Sequence, residues 1–169
     1  MLAIFLITLG IFSRVVIHVP NFTPIIALSL FSGTYLNKKY AVLLPLVLML
    51  VSDFIIGWHN TMFFTYGSII LITVLGFWLK GRKDFLTITA LSIFSSVIFF
   101  VITNFGAWAV PGLYPPTAEG LQQCFIMAIP FFRATLLSSL LYSLIFFGLY
   151  EWTAVRVKNT KLARVLLTN

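Results

Sequence analysis

Charge is what this chain has least of. Asp, Glu, Lys and Arg make up 9% of its 169 residues, where a soluble domain carries roughly 25%. Only four residues are acidic: Asp53, Asp84, Glu119 and Glu151. Such scarcity leaves few candidates for general acid–base chemistry, which needs a positioned proton donor and acceptor. No HExxH, GxSxG or phosphate-loop motif occurs, nor any pair of close carboxylates. Without a Walker motif the chain cannot itself hydrolyse ATP. The single cysteine, Cys124, excludes an intrachain disulfide framework and a multi-cysteine metal site. No enzyme, cofactor or metal site is expected. His18 and His59, with or without Cys124, lack the spacing of a metal site, and a cysteine at an apolar helix start packs as a small hydrophobe.

What fills the space is hydrocarbon. Hydrophobic residues reach 60%, with 18 phenylalanines, and the mean hydropathy is +1.06. The class implied is an all-α, multi-pass integral membrane protein. Transmembrane barrels alternate apolar and polar residues, whereas here the apolar residues run in blocks. Six blocks are visible, at roughly 1–17, 22–37, 40–57, 61–79, 85–108 and 125–150, and each approaches the ~20 residues of a spanning helix. The second is short and begins at "PNFTP", which suits a tilted or re-entrant segment. The N-terminal block lacks a positive flank and a small-residue cleavage site, so a first spanning helix is expected rather than a signal peptide. Residues 1–155 form one six-helix domain in this reading, and 156–169 a basic tail.

The few charges report orientation. With six spans, one face holds Lys38, Lys39, Lys80, Arg82, Lys83, Arg156, Lys158, Lys161 and Arg164; only Arg14 and Arg133 lie toward the other. Nine against two is a strong positive-inside bias. Both termini are therefore expected in the cytoplasm. The net charge of +7 is explained by this face and needs no nucleic acid.

Polar residues that topology does not require gather at the opposite, outer end. They are Arg14, Asn21, Asp53, Trp58, His59, Asn104, Trp108, Tyr114, Glu119 and Arg133, with His18 in the first outer loop. A charge inside the hydrocarbon costs roughly 2.5–3.5 kcal/mol on insertion scales and so seeks a partner or a cavity. Asp53 and Arg133 are the sharpest cases. Three readings stand: an Arg133–Asp53 or Arg14–Asp53 brace, a substrate pocket, or snorkelling to headgroups. Trp58, Trp108 and Tyr114 suit either an interfacial aromatic belt or stacking on a bound solute. Pro45 and Pro130 interrupt apolar blocks. Ser29 with Gly33, and Ser139 with Ser143, have the spacing that lets helices approach closely.

Four stretches carry a resemblance: "PNFTPIIALSLFSG" (20–33), "PLVLMLVSDFIIG" (45–57), "TNFGAW" (103–108) and "YPPTAEGLQQCFIMAIPFFRATLLSSLLY" (114–142). Together they resemble a family of small six-helix bacterial membrane proteins described as transport proteins, similar to the S components of energy-coupling factor vitamin transporters. The resemblance spans nearly the whole chain. It implies a compact six-helix bundle in the bacterial inner membrane, with both termini inside. It also implies a micronutrient pocket near the outer face, and docking onto a coupling protein that carries ATPases. By position it places Asn21, Asp53, Asn104 and Trp108 at the outer end, beneath the loop from Tyr114 to Cys124. The first helix departs from the S-component pattern: it offers Ala3, Gly10 and Ser13 but no Ala-xxx-Ala spacing, so a solitary transporter or another membrane complex is an alternative to the coupling module.

Two functions follow from these features. One is a transport protein binding a small vitamin-like or heterocyclic solute at its outer end. The other is a non-catalytic accessory subunit of a larger membrane complex, its inner charges serving as a brace. Both share one orientation, which fusions can check. A C-terminal fluorescent-protein fusion is expected to fluoresce in bacteria, and a C-terminal alkaline-phosphatase fusion to be inactive. The opposite pattern overturns the charge argument.

Overall fold

The computed structural model describes residues 1–16, 19–160 and 163; of Leu2, Ala3, Leu6, Ile11, Arg14 and Val15 it describes the backbone only. The chain is all-α. Six α-helices follow in order: α1 (Leu2–Val16), α2 (Ile25–Tyr35), α3 (Lys38–Ile56), α4 (Met62–Gly76), α5 (Phe85–Ala109) and α6 (Ala118–Val157). A 3-10 segment, Phe77–Gly81, continues α4. No strand occurs among the described residues. Four stretches are long and apolar enough to cross a membrane: Lys38–Ile56, Met62–Gly81, Phe85–Ala109 and Ala118–Val157.

α1, with 15 residues, and α2 are not among the four; α2, the expected second block, is the shortest α-helix and the centre of the packing. α2 has 11 residues, about 16 Å of helix at ~1.5 Å per residue, against a hydrocarbon core of ~30 Å. Pro24 stands at its N-cap, and Leu36 leaves helical geometry at its other end. Every residue of α2 is buried. A helix that is apolar all round has no solvent stripe and must be enclosed; α2 packs against each of the other five helices.

Its closest neighbour is α4, through glycine. A Cβ on Gly33 would collide with the Thr73 carbonyl and the Gly76 backbone, and one on Gly76 with the Leu30 carbonyl. The Thr34 hydroxyl donates to the Gly76 carbonyl at 3.0 Å and to its own Leu30 carbonyl at 2.8 Å. Small residues thus bring two backbones together, as membrane helix contacts favour. On its other side α2 presents Phe31 to Tyr35, Phe146, Phe147 and Tyr150, with ring centroids 4.7–6.1 Å apart.

The α5–α6 seam is held by hydroxyls. Ser92 donates to Ser143 at 2.8 Å, and Ser96 and Ser139 lie 2.6 Å apart. The Ser139–Ser143 spacing is therefore a contact surface. At the cation-rich end, Tyr35 donates to Glu151 Oε1 at 2.5 Å, and Lys83 Nζ lies 3.4 Å from the same oxygen.

Two helix ends show how local chemistry sets the boundaries. Asp84 caps α5, accepting from the Thr87 N–H at 3.0 Å and the Thr87 hydroxyl at 2.7 Å. These bonds hold its carboxyl below the usual aspartate range, so the cap's contribution is present above the ordinary value near ~4 and is lost as pH falls through the lower folded value. α6 begins at Ala118, well before the apolar block starting at 125, because the Thr117 hydroxyl accepts from the Gly120 N–H at 3.1 Å. Half of what hydropathy assigns to the last outer loop is helix.

The glycine contact can be tested directly. Gly33→Ala and Gly76→Ala are expected to lower thermal stability in detergent by ~1–3 kcal/mol, the usual cost of overpacking. Gly67, where an added Cβ meets open space, serves as the control: Gly67→Ala is expected to match or exceed the parent, by up to ~1 kcal/mol of helix propensity. Equal melting of all three variants overturns the close-contact account.

Candidate functional site

The C-terminal ends of α3 and α5 and the N-terminal ends of α2, α4 and α6 converge opposite the lysine-rich rim. Between them lies a cavity of about 340 Å³. Asn21 stands at its edge. α4 contributes Thr65 and its N-cap residue Thr61; α5 contributes Phe99, Phe100, Thr103, Asn104 and Ala107; α6 contributes Ala128, Phe131, Phe132 and Thr135. A second cavity of about 120 Å³ shares Asn21, Thr65, Phe99 and Thr135 with the first and adds His59, Met49 and Thr23. The two are neighbours, with these four residues in the wall of both.

The wall chemistry follows from helix hydrogen bonding. Thr103 donates to the Phe99 carbonyl at 2.7 Å, and Thr135 to the Phe131 carbonyl at 3.1 Å. Such bonds to the preceding turn occupy the hydroxyl proton. What remains for the cavity is the oxygen, an acceptor. Asn104 Nδ2 donates to the Phe100 carbonyl at 2.7 Å, leaving its amide oxygen and second N–H for a ligand. Phe100 packs on Phe125 and Phe132, with centroids 5.5 and 4.8 Å apart. The wall is therefore flat aromatic surface with scattered neutral acceptors.

Asp53 lies next to His59, a wall residue of the smaller cavity. It is 1% exposed, accepts from the Tyr66 hydroxyl at 2.6 Å, and has His59 Nε2 at 3.9 Å from the same oxygen. His59 Nδ1 lies 3.0 Å from the Thr61 hydroxyl. A polar chain thus runs Tyr66–Asp53–His59–Thr61, and its last two members reach the cavity walls. Asn21 is held at a φ of 58°, in the left-handed region that asparagine tolerates better than most residues.

The ten residues singled out from sequence fare differently. Asn21, His59 and Asn104 line the cavities, and Asp53 sits one contact behind. Trp108 supports the rim: its Nε1 donates to the Pro115 carbonyl at 3.1 Å, tying α5 to the following loop. Tyr114 is half-buried in that loop, and neither it nor Trp108 lines a cavity. Trp58 is 62% exposed. Glu119 is exposed in the first turn of α6. Arg133 is also exposed, on a face of α6 that does not line the cavity, and it makes no ion pair with Asp53. The Arg14 side chain and His18 lie outside the described residues. Cys124 is buried and donates to the Asn104 carbonyl at 3.3 Å, which makes it part of the α5–α6 contact. Among the described residues, no group of three or more His, Cys, Asp and Glu converges.

Sequence inspection passes over the phenylalanines and threonines of the wall. Their signal is helical spacing: Phe99 with Thr103, Phe100 with Asn104, and Ala128 with Thr135 each fall on one face.

The chain belongs to a family of unknown function, DUF6580, whose profile matches residues 1–162. No curated protein and no solved structure matches it.

The buried carboxylate makes a measurable demand. Tyr66→Phe removes a hydroxyl donor from Asp53 and is expected to cost ~1.5–3 kcal/mol of stability, the range for hydrogen bonds to charged groups. Trp58→Phe, exposed in the connection between α3 and α4, is expected to stay within ~0.5 kcal/mol. Thermal unfolding in detergent checks both, and an unaffected Tyr66→Phe protein overturns the assignment.

Proposed function

We propose that this chain is a substrate-binding transport protein of the bacterial cytoplasmic membrane. It takes a small, uncharged, vitamin-like heterocycle into the cavity near the outer face, for uptake. The observation that carries this reading is the wall of that cavity: Phe99, Phe100, Phe131 and Phe132 beside Asn21, Thr103, Asn104 and Thr135. Aromatic surface with a few placed polar groups is the usual make-up of a small-molecule site, and about 340 Å³ falls at the lower end of the ~300–1,000 Å³ such sites occupy.

The hydrogen-bond pattern narrows the solute. Thr103 and Thr135 present oxygens whose protons are already engaged. A complementary ligand brings N–H or O–H donors around a flat ring. A full carboxylate would meet mostly lone pairs on these walls. His59 is the titratable side chain on the described walls. The resemblance to energy-coupling factor S components adds a means of drive, in which a coupling membrane protein with ATPases supplies the energy. A solitary carrier or another membrane complex is the alternative that the first helix favours.

The test uses purified full-length protein and a panel of nicotinamide, pyridoxine, adenine and nicotinate. At least one of the first three is expected to raise the melting temperature, and nicotinate is not. Asn104→Ala is expected to weaken that binding about tenfold, or ~1.4 kcal/mol, with little change in the unliganded melting point. If none of the panel shifts the melting temperature, and denatured protein releases no small molecule, the reading fails. Co-purification with another membrane protein at fixed ratio, with no solute, would then move the chain to an accessory subunit.

A further inference from the structure

The lysine-rich end contains a second recess, unconnected to the outer cavity. It lies between the 3-10 segment and the first turns of α5, has a volume of about 380 Å³, and is lined by Trp78, Arg82, Thr87 and Leu91. We infer that this recess binds one anionic glycerophospholipid, with its phosphate on Arg82 and the start of an acyl chain along Trp78 and Leu91.

The assignment rests on which cations are already engaged. The connector "KGRKD" carries three, Lys80, Arg82 and Lys83. Lys80 Nζ donates to the Leu36 carbonyl at 3.2 Å and lies 5.4 Å from the Phe77 ring centre. Lys83 pairs with Glu151 at 3.4 Å and sits 4.5 Å over the Tyr35 ring. Arg82 alone has no acceptor among the described residues. Its planar guanidinium matches a phosphate in two-pronged fashion better than an ammonium does.

The recess is amphipathic in the direction a lipid requires. Arg82 belongs to the polar connector, and Leu91 lies almost two turns into α5. Trp78 is 75% exposed and Phe85 68%; indole rings favour the headgroup level of a bilayer. Asp84, two residues after Arg82, has its carboxylate engaged by the Thr87 N–H and hydroxyl. Thr87 has spent its proton there and keeps an oxygen to accept from a glycerol headgroup. The surrounding rim is cationic, with Lys38, Lys39, Arg156 and Lys158 also at this end. Basic recesses between helices on the positive side are where acidic headgroups bind.

Native mass spectrometry of the full chain in detergent tests this, with phosphatidylglycerol or phosphatidylcholine of identical acyl chains added in turn. The expected result is about a fivefold preference for phosphatidylglycerol, the scale of one cation facing an acidic lipid. Arg82→Ala is expected to abolish the preference, Trp78→Ala to reduce retention of both lipids, and Lys39→Ala to change neither. Four outcomes overturn the proposal. These are no preference in the parent protein, a preference that survives Arg82→Ala, equal loss in Lys39→Ala, or displacement of phosphatidylglycerol by equimolar free glycerol 3-phosphate. The last would mark a site for a soluble anion. None of these outcomes depends on whether the outer cavity binds a solute.

Discussion

The bundle depends on one close approach, where the α2 backbone meets that of α4 at Gly33 and Gly76. In hydrocarbon there is little hydrophobic drive to hold helices together, so contact area and hydrogen bonds must do it. Two glycines let the backbones near enough for Thr34 to bond across to the Gly76 carbonyl. That contact fixes a short, fully buried helix in the middle of five others. The aromatic cluster around Phe31 and the hydroxyl seam between α5 and α6 are arranged about it. With α2 ending at Pro24 on one side, the space above its N-terminus is left to longer helices that do not close over it. The cavity occupies that level.

Charged groups in this protein are few, and most hydroxyl bonds are local. Threonine and serine hydroxyls return to the carbonyl one turn back, at Ser29, Thr73, Thr103 and Thr135 among others. That habit satisfies the donor without a partner helix and leaves an acceptor facing sideways. Inside the seam those acceptors meet other hydroxyls, as at Ser96 and Ser139. At the end opposite the lysine-rich rim, the same acceptors on Thr103 and Thr135 line the cavity. One bonding habit thus serves packing in the middle of the bundle and lines the cavity at its end.

Much of this was legible beforehand, and the failures have physical causes. The blocks located the helices because hydrocarbon length is a hard requirement. The start of α6 was hidden because its first turns, "AEGLQQ", are polar; Thr117 with an acidic residue in the first turn is the cap signal that would have found it. Asn21, His59 and Asn104 stood out as polar residues where topology did not need them, and they line the cavity. Arg133 stood out for the same reason yet faces away. Its charge revealed that something must accommodate it, but the facing of α6 is set by Ala128, Phe132, Thr135 and Ser139, and position 133 lies off that stripe. Phe99 and Phe131 were invisible as site residues because phenylalanine is everywhere in this chain.

α6 has a mechanical consequence. Its 40 residues make a rod of about 60 Å, longer than a bilayer of ~40–45 Å including headgroups. The same rod borders the cavity at Ala128–Thr135 and carries Glu151, clasped by Tyr35 and Lys83, near its far end. Pro130 lacks the N–H that would complete the backbone ladder, so the rod's weakest joint lies at the level of the cavity. The segment beyond it is anchored to α5 by hydroxyl pairs; the segment before it is held by Cys124 and the loop that Trp108 ties down. α6 thus joins the level of the cavity to the cationic rim in one continuous helix.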